Sequence, residues 1–323
     1  MIVISEREAR ELVGVEQAIA VVEQAFAAMA RGQAGNYPVV RETVGHRDAV
    51  FGVKAGCDRS LPLLGLKAGG YWPHNAKAGA SNHQSTTVLF DPDTGQAMAL
   101  VSANYLTGVR TGAASAIATR YLARADAAVL GIIGAGVQAH HQVRATLAVR
   151  PIRAVHAWDP AAANLEALGR TVRDLGLTFT AERGCREVAQ QADVLVTVTP
   201  SQQALVQDGW VRPGTHINAM GADTRGKQEL DPRLVASAAL FVDEAAQAMS
   251  IGECQHACAA GLIGEASVRA SLGAVVAQLA PGRRSAGEIT LFDGTGVALQ
   301  DLAVAELAVR EARRRGAGTS VPY

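Results

Sequence analysis

Apolar positions follow two different periods along this chain. Near the start, Ala18, Ile19, Val22, Ala25, Phe26 and Met29 recur every three or four residues up to Gly32, the spacing that puts side chains on one face of a helix. Ahead of them Ser5-Glu6-Arg7-Glu8 has the form of a capping box, so the chain opens with helices. Between Tyr37 and Val101 the pattern shortens to β-rich runs at 38–44, 49–55, 63–70 and 86–90, with turns such as Asp91-Pro-Asp-Thr-Gly95 between them. That predicts an antiparallel sheet. A helix over 105–122 follows, and then short apolar strands at 128–133, 154–158, 194–198, 216–219 and 240–242 alternate with helical stretches such as 137–149 and 161–175. Alternation of this kind predicts a parallel sheet with helices packed on its faces. A last strand at 289–292 leads through Asp293-Gly-Thr-Gly296 into an alanine-rich helix ending at Arg315. Its final Arg313-Arg314-Arg315 matches the negative end of the helix dipole more simply than it makes a binding patch.

The fold class expected is therefore α/β, with a Rossmann-type parallel sheet domain at 123–296 inserted into a smaller α+β domain built from 1–122 and 297–323. A length of 323 residues suits two domains. Thirty basic residues balance thirty acidic ones without a basic stripe, so neither nucleic acid nor an anionic membrane is an expected partner. No apolar run reaches the roughly 20 residues a bilayer requires, and Met1-Ile-Val-Ile-Ser-Glu-Arg-Glu lacks a signal-peptide layout, so a cytoplasmic protein is expected. Four cysteines do not make a disulfide framework. Cys254 and Cys258, with His256 and Glu253 nearby, lack a second metal-spaced pair and read as small residues on a helix, so no metal is expected.

The strongest chemical signal is Val129-Leu-Gly-Ile-Ile-Gly134-Ala-Gly136-Val-Gln-Ala139, an apolar strand running into G-x-G-x-x-A. Gly134 permits the tight strand-to-helix turn, Gly136 admits backbone N–H groups to a pyrophosphate, and Ala139 lets the helix lie close to the strand. Asp159 closes the next apolar run, where a carboxylate would accept the adenosine ribose hydroxyls and repel a 2′-phosphate. Pro160, not arginine, follows it, so NAD(H) is expected over NADP(H).

Charge is informative where it is scarce. Arg110 is the only formally charged side chain between Thr94 and Thr119, and either a carboxylate from elsewhere in the chain or a ligand anion must meet it. Lys67 is likewise alone between Arg59 and Lys77, and Lys54 sits on the preceding strand. If those strands pair, both ammonium groups could project from one face, with Arg41 joining them; each alone could equally be a snorkelling edge-strand side chain. Asp223 follows the strand at 216–219, at the carboxyl end where parallel sheets place ligands, and is a candidate acid/base; a helix N-cap is the competing explanation. His83, in Asn82-His83-Gln84, is either a cleft residue or an ordinary satisfied histidine.

Taken together, the blocks Gly65-Leu-Lys67, Val88-Leu-Phe-Asp91-x-x-Thr-Gly95, Arg110-Thr-Gly-Ala-Ala-Ser115, Gly131-Ile-Ile-Gly-Ala-Gly136, His216-Ile-Asn-Ala-Met-Gly-Ala-Asp223, Gly226-Lys-Gln-Glu-Leu-Asp-Pro232 and Ile289-Thr-Leu-Phe-Asp-Gly-Thr-Gly296 give the chain a resemblance to the ornithine cyclodeaminase/mu-crystallin family along nearly its whole length. The resemblance implies a homodimer formed through the N-terminal sheet domain, a Rossmann domain for NAD(H), and chemistry on small amino or imino acids. It places Arg41, Lys67 and Arg110 at a substrate α-carboxylate and Asp223 as acid/base; in the mechanism expected here Asp223 or Lys67 keeps or delivers the proton on the imine nitrogen. The residues expected to touch the cofactor are Gly134, Ala135, Gly136, Val137 and Gln138 in the turn, Asp159 at the ribose, and Arg110, Thr111, Thr199, Met220 and Lys227 beyond it.

Within the family, Phe51-Gly-Val-Lys54-Ala-Gly56, Gly69-Gly-Tyr-Trp-Pro73, Asn82-His-Gln-Ser85 and Ser250-Ile-Gly-Glu-Cys-Gln-His256 look like the iminosuccinate reductases, which make aspartate. Lys54 departs from the uncharged segment many relatives carry there, and an added cation is what a second carboxylate would require. The expectation is an NADH-dependent imine reductase in which Lys54, with Arg41 or His83, holds the β-carboxylate. The alternatives are a ketimine reductase or alanine dehydrogenase acting on a monocarboxylate, a cyclodeaminase-type lyase, and a non-enzymatic ligand binder like mu-crystallin.

Overall fold

Strand β1 (Ile2–Ile4) and helix α1 (Glu6–Leu12) meet at Ser5, where the capping box forms: Ser5 N–H donates to Glu8 Oε2 at 2.8 Å and Glu8 N–H donates to Ser5 Oγ at 3.3 Å. The chain breaks at Val13 and Gly14 before helix α2 (Val15–Ala30), which buries the predicted stripe of Ala18, Ile19, Val22, Ala25 and Phe26. Strands β2 (Ala34–Asn36), β3 (Val40–Thr43), β4 (Val50–Asp58), β5 (Leu63–Tyr71), β6 (His83–Phe90) and β7 (Ala97–Ser102) then build a sheet ordered β1-β7-β6-β5-β4-β2, with β3 pairing the other stretch of β4. All these pairs are antiparallel except β1 with β7. Helix α3 (Asn104–Leu122) follows.

The alternating segment runs β8 (Val129–Ile133), α4 (Val137–Leu147), β9 (Ala154–Trp158), α5 (Ala162–Asp174), β10 (Thr178–Ala181), α6 (Cys185–Gln191), β11 (Val194–Thr197), β12 (Gln202–Val206), β13 (His216–Ala219), β14 (Gln228–Leu230), α7 (Pro232–Ser237), β15 (Ala239–Val242), α8 (Ala245–Ile251), α9 (Cys254–Ala259), β16 (Val268–Ser271), α10 (Leu272–Val276) and β17 (Thr290–Asp293). Its main sheet is parallel throughout and ordered β10-β9-β8-β11-β13-β17-β15-β16. The order reverses between β8 and β11, the switch point at which such sheets bind dinucleotides. The sheet is Rossmann-type, as expected. β12 and β14 pair apart from it. The short, partly exposed strands β10 and β16 lie at the two edges, where few packing partners leave little apolar signal to read.

Helix α11 (Ala298–Arg315) and strand β18 (Thr319–Ser320) return the chain to the first sheet, β18 pairing with β1. The helix lies on β4, β5 and β6, closest where Gly65 stands opposite Gly56 in the ladder. A methyl carbon at Gly65 would come within 2.9 Å of Leu302 Cδ2 and 2.6 Å of the Val88 carbonyl oxygen. The missing side chain at Gly65 lets the helix close on the strands and bury Leu299, Leu302, Val304 and Leu307, at about 1.5–3 kcal/mol for each large apolar side chain. At the far end Arg314 and Arg315 pair with Glu311, and Gly316 terminates the helix at φ 66°.

This computed structural model describes residues 1–322; Tyr323, the last residue of the expected return segment, lies outside the described residues. The chain divides into two compact units, Met1–Arg110 with Val297–Tyr323, and Thr111–Gly296. The division falls inside α3, not at the helix end at Leu122 where the sequence reading put it. The first turns of α3 carry Thr107 and Arg110 to the lysine and acid of the first unit, whereas Gly112 lies against α4, where a methyl carbon would sit 2.9 Å from the His141 carbonyl oxygen.

Candidate active site

In the first unit the isolated cations converge on one face of the sheet. Lys54 and Lys67 are direct cross-strand partners in the β4–β5 ladder, and Lys67 in turn faces Thr87 on β6, so the three lie in one row. Arg41 stands opposite Gly52, two residues along β4 from Lys54 and on the same face. His83 shares that face too, but its row is four residues from Thr87, roughly 13 Å at the rise of a strand, so the sheet does not bring it beside Lys67.

Lys67 and Arg110 both meet a carboxylate from the far end of the chain. Asp301, in the first turn of α11, accepts from Lys67 Nζ at 2.8 Å and from Arg110 Nε at 3.0 Å through the same oxygen, Oδ1. Arg110 Nη1 also donates to Gln300 Oε1 at 3.1 Å, and Lys67 Nζ lies 3.5 Å from Thr107 Oγ1. All three charged groups are buried: Lys67 and Arg110 are each 7% exposed and Asp301 2%. Of the two ways the sequence left open to satisfy Arg110, the structure supplies the intramolecular acid, shared with Lys67. Burial first, then the nearby Arg110 and Lys54, lower Lys67 against the opposing pull of Asp301, which leaves it at about 7. Burial raises the Asp301 carboxyl, but Lys67 and Arg110 outweigh it and hold it at about 2.

Asp301 and its neighbour Gln300 were not singled out from the sequence. The argument that picks out Arg110 and Lys67 finds Asp301 as well, since no other charged residue occurs from 294 to 305.

The second unit carries the dinucleotide fingerprint at the carboxyl end of its sheet. Gly134 has φ 95°, closed to ordinary side chains, and a methyl carbon there would lie 2.8 Å from both Thr199 Cγ2 and the Val198 carbonyl oxygen. Above Gly136, the N-cap of α4, nothing lies within 4 Å, so backbone donors at the start of that helix are open to approach. Val137 beside it is 78% exposed, an apolar residue presented to solvent on the first turn, while Gln138 is half-buried with its Oε1 unpartnered. Asp159 is tied to the loop: its Oδ2 accepts from Ala135 N–H at 2.7 Å, and its Oδ1 from Ala161 N–H and Asn164 Nδ2. This geometry fits a dinucleotide, with a turn cleared of side chains and a carboxylate at the end of β9. Thr111 is buried on α3.

Thr199 and Met220 lie past the ends of β11 and β13, and a further residue not singled out from the sequence holds both segments. Glu229, fully buried on β14, accepts from Thr197 Oγ1 at 2.7 Å, Thr199 N–H at 2.6 Å and Gly221 N–H at 2.9 Å. Glu253 in turn accepts from Glu229 N–H and Leu230 N–H. Burial raises both carboxyls. Met220 is packed against Gly294, where a methyl carbon would lie 2.6 Å from its sulfur.

Asp223 is half-exposed in the loop after β13 and pairs with Lys227 Nζ at 2.7 Å; that ammonium also donates to the Gly221 carbonyl at 3.2 Å. No helix starts at Asp223: the segment is a turn with Lys227 N–H donating to the Thr224 carbonyl, and Gly226 at φ 86°. The capping explanation therefore does not apply. Cys254 and Cys258 are free thiols on α9, and no group of three or more metal-ligating side chains occurs among the described residues.

Residues 1–316 match the family model of the ornithine cyclodeaminase/mu-crystallin family. The chain is 52% identical over 321 residues to the iminosuccinate reductase of Paracoccus denitrificans, covering 99% of each. It superimposes on the crystal structure of that enzyme in complex with NAD+ with a TM-score of 0.95, at 51% identity, covering 100% of this chain and 99% of the other. An archaeal alanine dehydrogenase dimer with bound NAD gives a TM-score of 0.95 at 36% identity, covering 100% and 99%. The Thermococcus litoralis Δ1-pyrroline-2-carboxylate reductase in complex with NADH and L-proline gives 0.96 at 32% identity, covering 99% and 100%. The chain belongs to the ornithine cyclodeaminase/mu-crystallin family.

Proposed function

We propose that this protein is an NADH-dependent imine reductase that converts iminosuccinate to aspartate. The observation that carries this reading is the Lys54–Lys67 pair, two ammonium groups on one sheet face with the Arg110 guanidinium beside them, a match for a substrate with two carboxylates. The likeness to the Paracoccus denitrificans enzyme supports it.

Arg110 and Lys67 hold the α-carboxylate, and Lys54 with Arg41 holds the β-carboxylate. Such fixed cations orient the imine before reaction and so lower the entropic part of the barrier. Gly134, Ala135, Gly136, Val137, Gln138, Asp159, Thr199, Met220 and Lys227 hold the dinucleotide, with Asp159 selecting NAD(H) through the ribose. Bound NADH supplies a hydride to the imine carbon. The chain's own contribution is protonic: the imine carbon is electrophilic only when its nitrogen is protonated, and Lys67 Nζ or the Asp223 carboxyl keeps or delivers that proton.

The test is a substrate panel. Purified protein with NADH is offered oxaloacetate with ammonia, pyruvate with ammonia or methylamine, and pyrroline-2-carboxylate, following loss of reduced-nicotinamide absorbance. Fastest turnover with oxaloacetate and ammonia supports the dicarboxylate reading. Preference for pyruvate or pyrroline-2-carboxylate sinks it in favour of the monocarboxylate reading, which the partial neutralisation of Lys67 and Arg110 by Asp301 favours.

The protein works as a homodimer in this proposal. On the sheet face opposite Lys67, Val53, Leu66, Val88 and Leu100 are half-buried, and Val40 and Phe51 are 52% and 42% exposed. A contiguous apolar sheet face of this kind marks an interface, and the archaeal alanine dehydrogenase is described as a dimer. Light scattering of the wild type and of Leu66→Glu decides: a monomeric wild type overturns it, and a dimer broken by the charge supports it.

A further inference from the structure

We propose that Asp301 is a positioning residue for this imine reduction, its Oδ1 gathering Lys67 Nζ and Arg110 Nε about one point so that the lysine stays charged beside the guanidinium. The inference rests on the reading of the protein as an imine reductase and adds to it the group that organises its proton donor.

The geometry argues for more than a structural ion pair. A single oxygen serves both cations at 2.8 and 3.0 Å, which fixes their separation as well as their orientation. Asp301 is carried on α11, and Gly65, where a methyl carbon would lie 2.9 Å from Leu302 Cδ2, is what allows that helix to approach the strands bearing the lysines. Three buried polar atoms in this set have no hydrogen-bond partner within the protein: Asp301 Oδ2, Gln300 Nε2 and Thr87 Oγ1. Buried polar groups of folded proteins are normally paired, so a cluster that leaves an acceptor, a donor and a hydroxyl over is arranged to meet a small polar molecule.

The electrostatics assign Asp301 a distinct task. The charged groups facing Lys67 are Asp301 on α11, Arg110 on α3 and Lys54 on β4; the flanking Thr87 and Thr107 do not titrate. Burial, Arg110 and Lys54 all push Lys67 towards the neutral amine, and Asp301 alone opposes them. Without its charge, Lys67 shifts further towards the neutral amine and holds the proton the imine nitrogen needs over a narrower pH range.

Asp301→Asn keeps the shape and removes the charge. The experiment measures kcat/KM against pH, from 5.5 to 9, for wild type and variant with whichever substrate of the panel the wild type reduces. The expected result is that the decline on the alkaline side moves to lower pH by about one unit or more, so that kcat/KM falls about tenfold at pH 8 and much less at pH 6. A profile that superimposes on that of the wild type, after scaling for any uniform loss, overturns the proposal. If the asparagine variant does not fold, Asp301→Glu serves: it keeps the charge, so the alkaline decline stays in place, while the displaced carboxylate misplaces Arg110 and raises KM; an unchanged KM overturns the proposal. A wild type that reduces pyruvate but not oxaloacetate with ammonia refutes the dicarboxylate reading while leaving Asp301 tested. A wild type inert towards the whole panel refutes both.

Discussion

Lys54 and Lys67 face each other directly across the β4–β5 ladder, a placement in which like charges oppose folding. The arrangement makes sense as a device for holding anions. Each charge-assisted contact to a carboxylate contributes about 1.5–3 kcal/mol, or roughly 10- to 100-fold in affinity. Lys54→Ala is therefore expected to lower kcat/KM for oxaloacetate with ammonia by roughly that factor, through KM, while activity with pyruvate and ammonia changes little. Equal losses on both substrates in the NADH assay contradict a β-carboxylate role.

The lysine held at about 7 gives a pH dependence with a definite sign. Between about 7 and the usual 10.5 the folded protein binds fewer protons at Lys67 than the unfolded chain does, so this group's contribution to stability improves as pH rises across that window. Activity that needs the ammonium runs the other way. Corrected for the concentration of free imine, kcat/KM is expected to fall about tenfold per pH unit above the titration of Lys67. Lys67→Met is expected to abolish reduction, and a flat wild-type profile to pH 9 contradicts the assignment.

Asp159 serves both the ligand and the loop, since its Oδ2 already accepts from Ala135 N–H. Asp159→Ser removes the carboxylate that would repel a 2′-phosphate and loosens the turn at once. The expected outcome is a rise of about tenfold or more in KM for NADH and a fall in the preference for NADH over NADPH, read from kcat/KM with each nucleotide. A variant that keeps the full preference shows that another residue reads the ribose.

Glu229 gathers three donors, from Thr197, Thr199 and Gly221, with two carboxylate oxygens. Glutamine offers one acceptor oxygen and turns an NH2 group towards a backbone donor. Glu229→Gln is expected to lose about 2–3 kcal/mol of stability in a denaturant titration, because a buried donor is left unpaired, and to weaken NADH binding measured by fluorescence. Unaltered stability and binding show that the segments beyond β11 and β13 are held by other contacts.

Much of this was legible in the sequence where it depends on neighbours along the chain. The capping box at Ser5, the G-x-G-x-x-A turn at Gly134 and the strand at 216–219 are local features, and the first two carry their physics in a few adjacent residues. The isolated-charge argument put Lys54 and Lys67 on one face because β4 and β5 are consecutive strands, whose register follows from their alternation, whereas Arg110 comes from α3. His83 is on the same face but in a distant row, and only the register shows that. Glu229 was invisible because a buried glutamate in a short strand looks like any surface glutamate until its three donors are in place.

The sequence by itself determined the longer helices and strands, the parallel class of the second sheet and the dinucleotide turn, because periodicity, glycine and capping act over a few residues. Only the tertiary structure decided what answers the buried cations. Asp301 is separated from Lys67 by 234 residues and from Arg110 by 191, and the three meet because a helix returning from the far end of the chain packs over β5 at Gly65. Charges buried this deeply must be compensated, but which side chain does so is a matter of packing, and no local pattern encodes it.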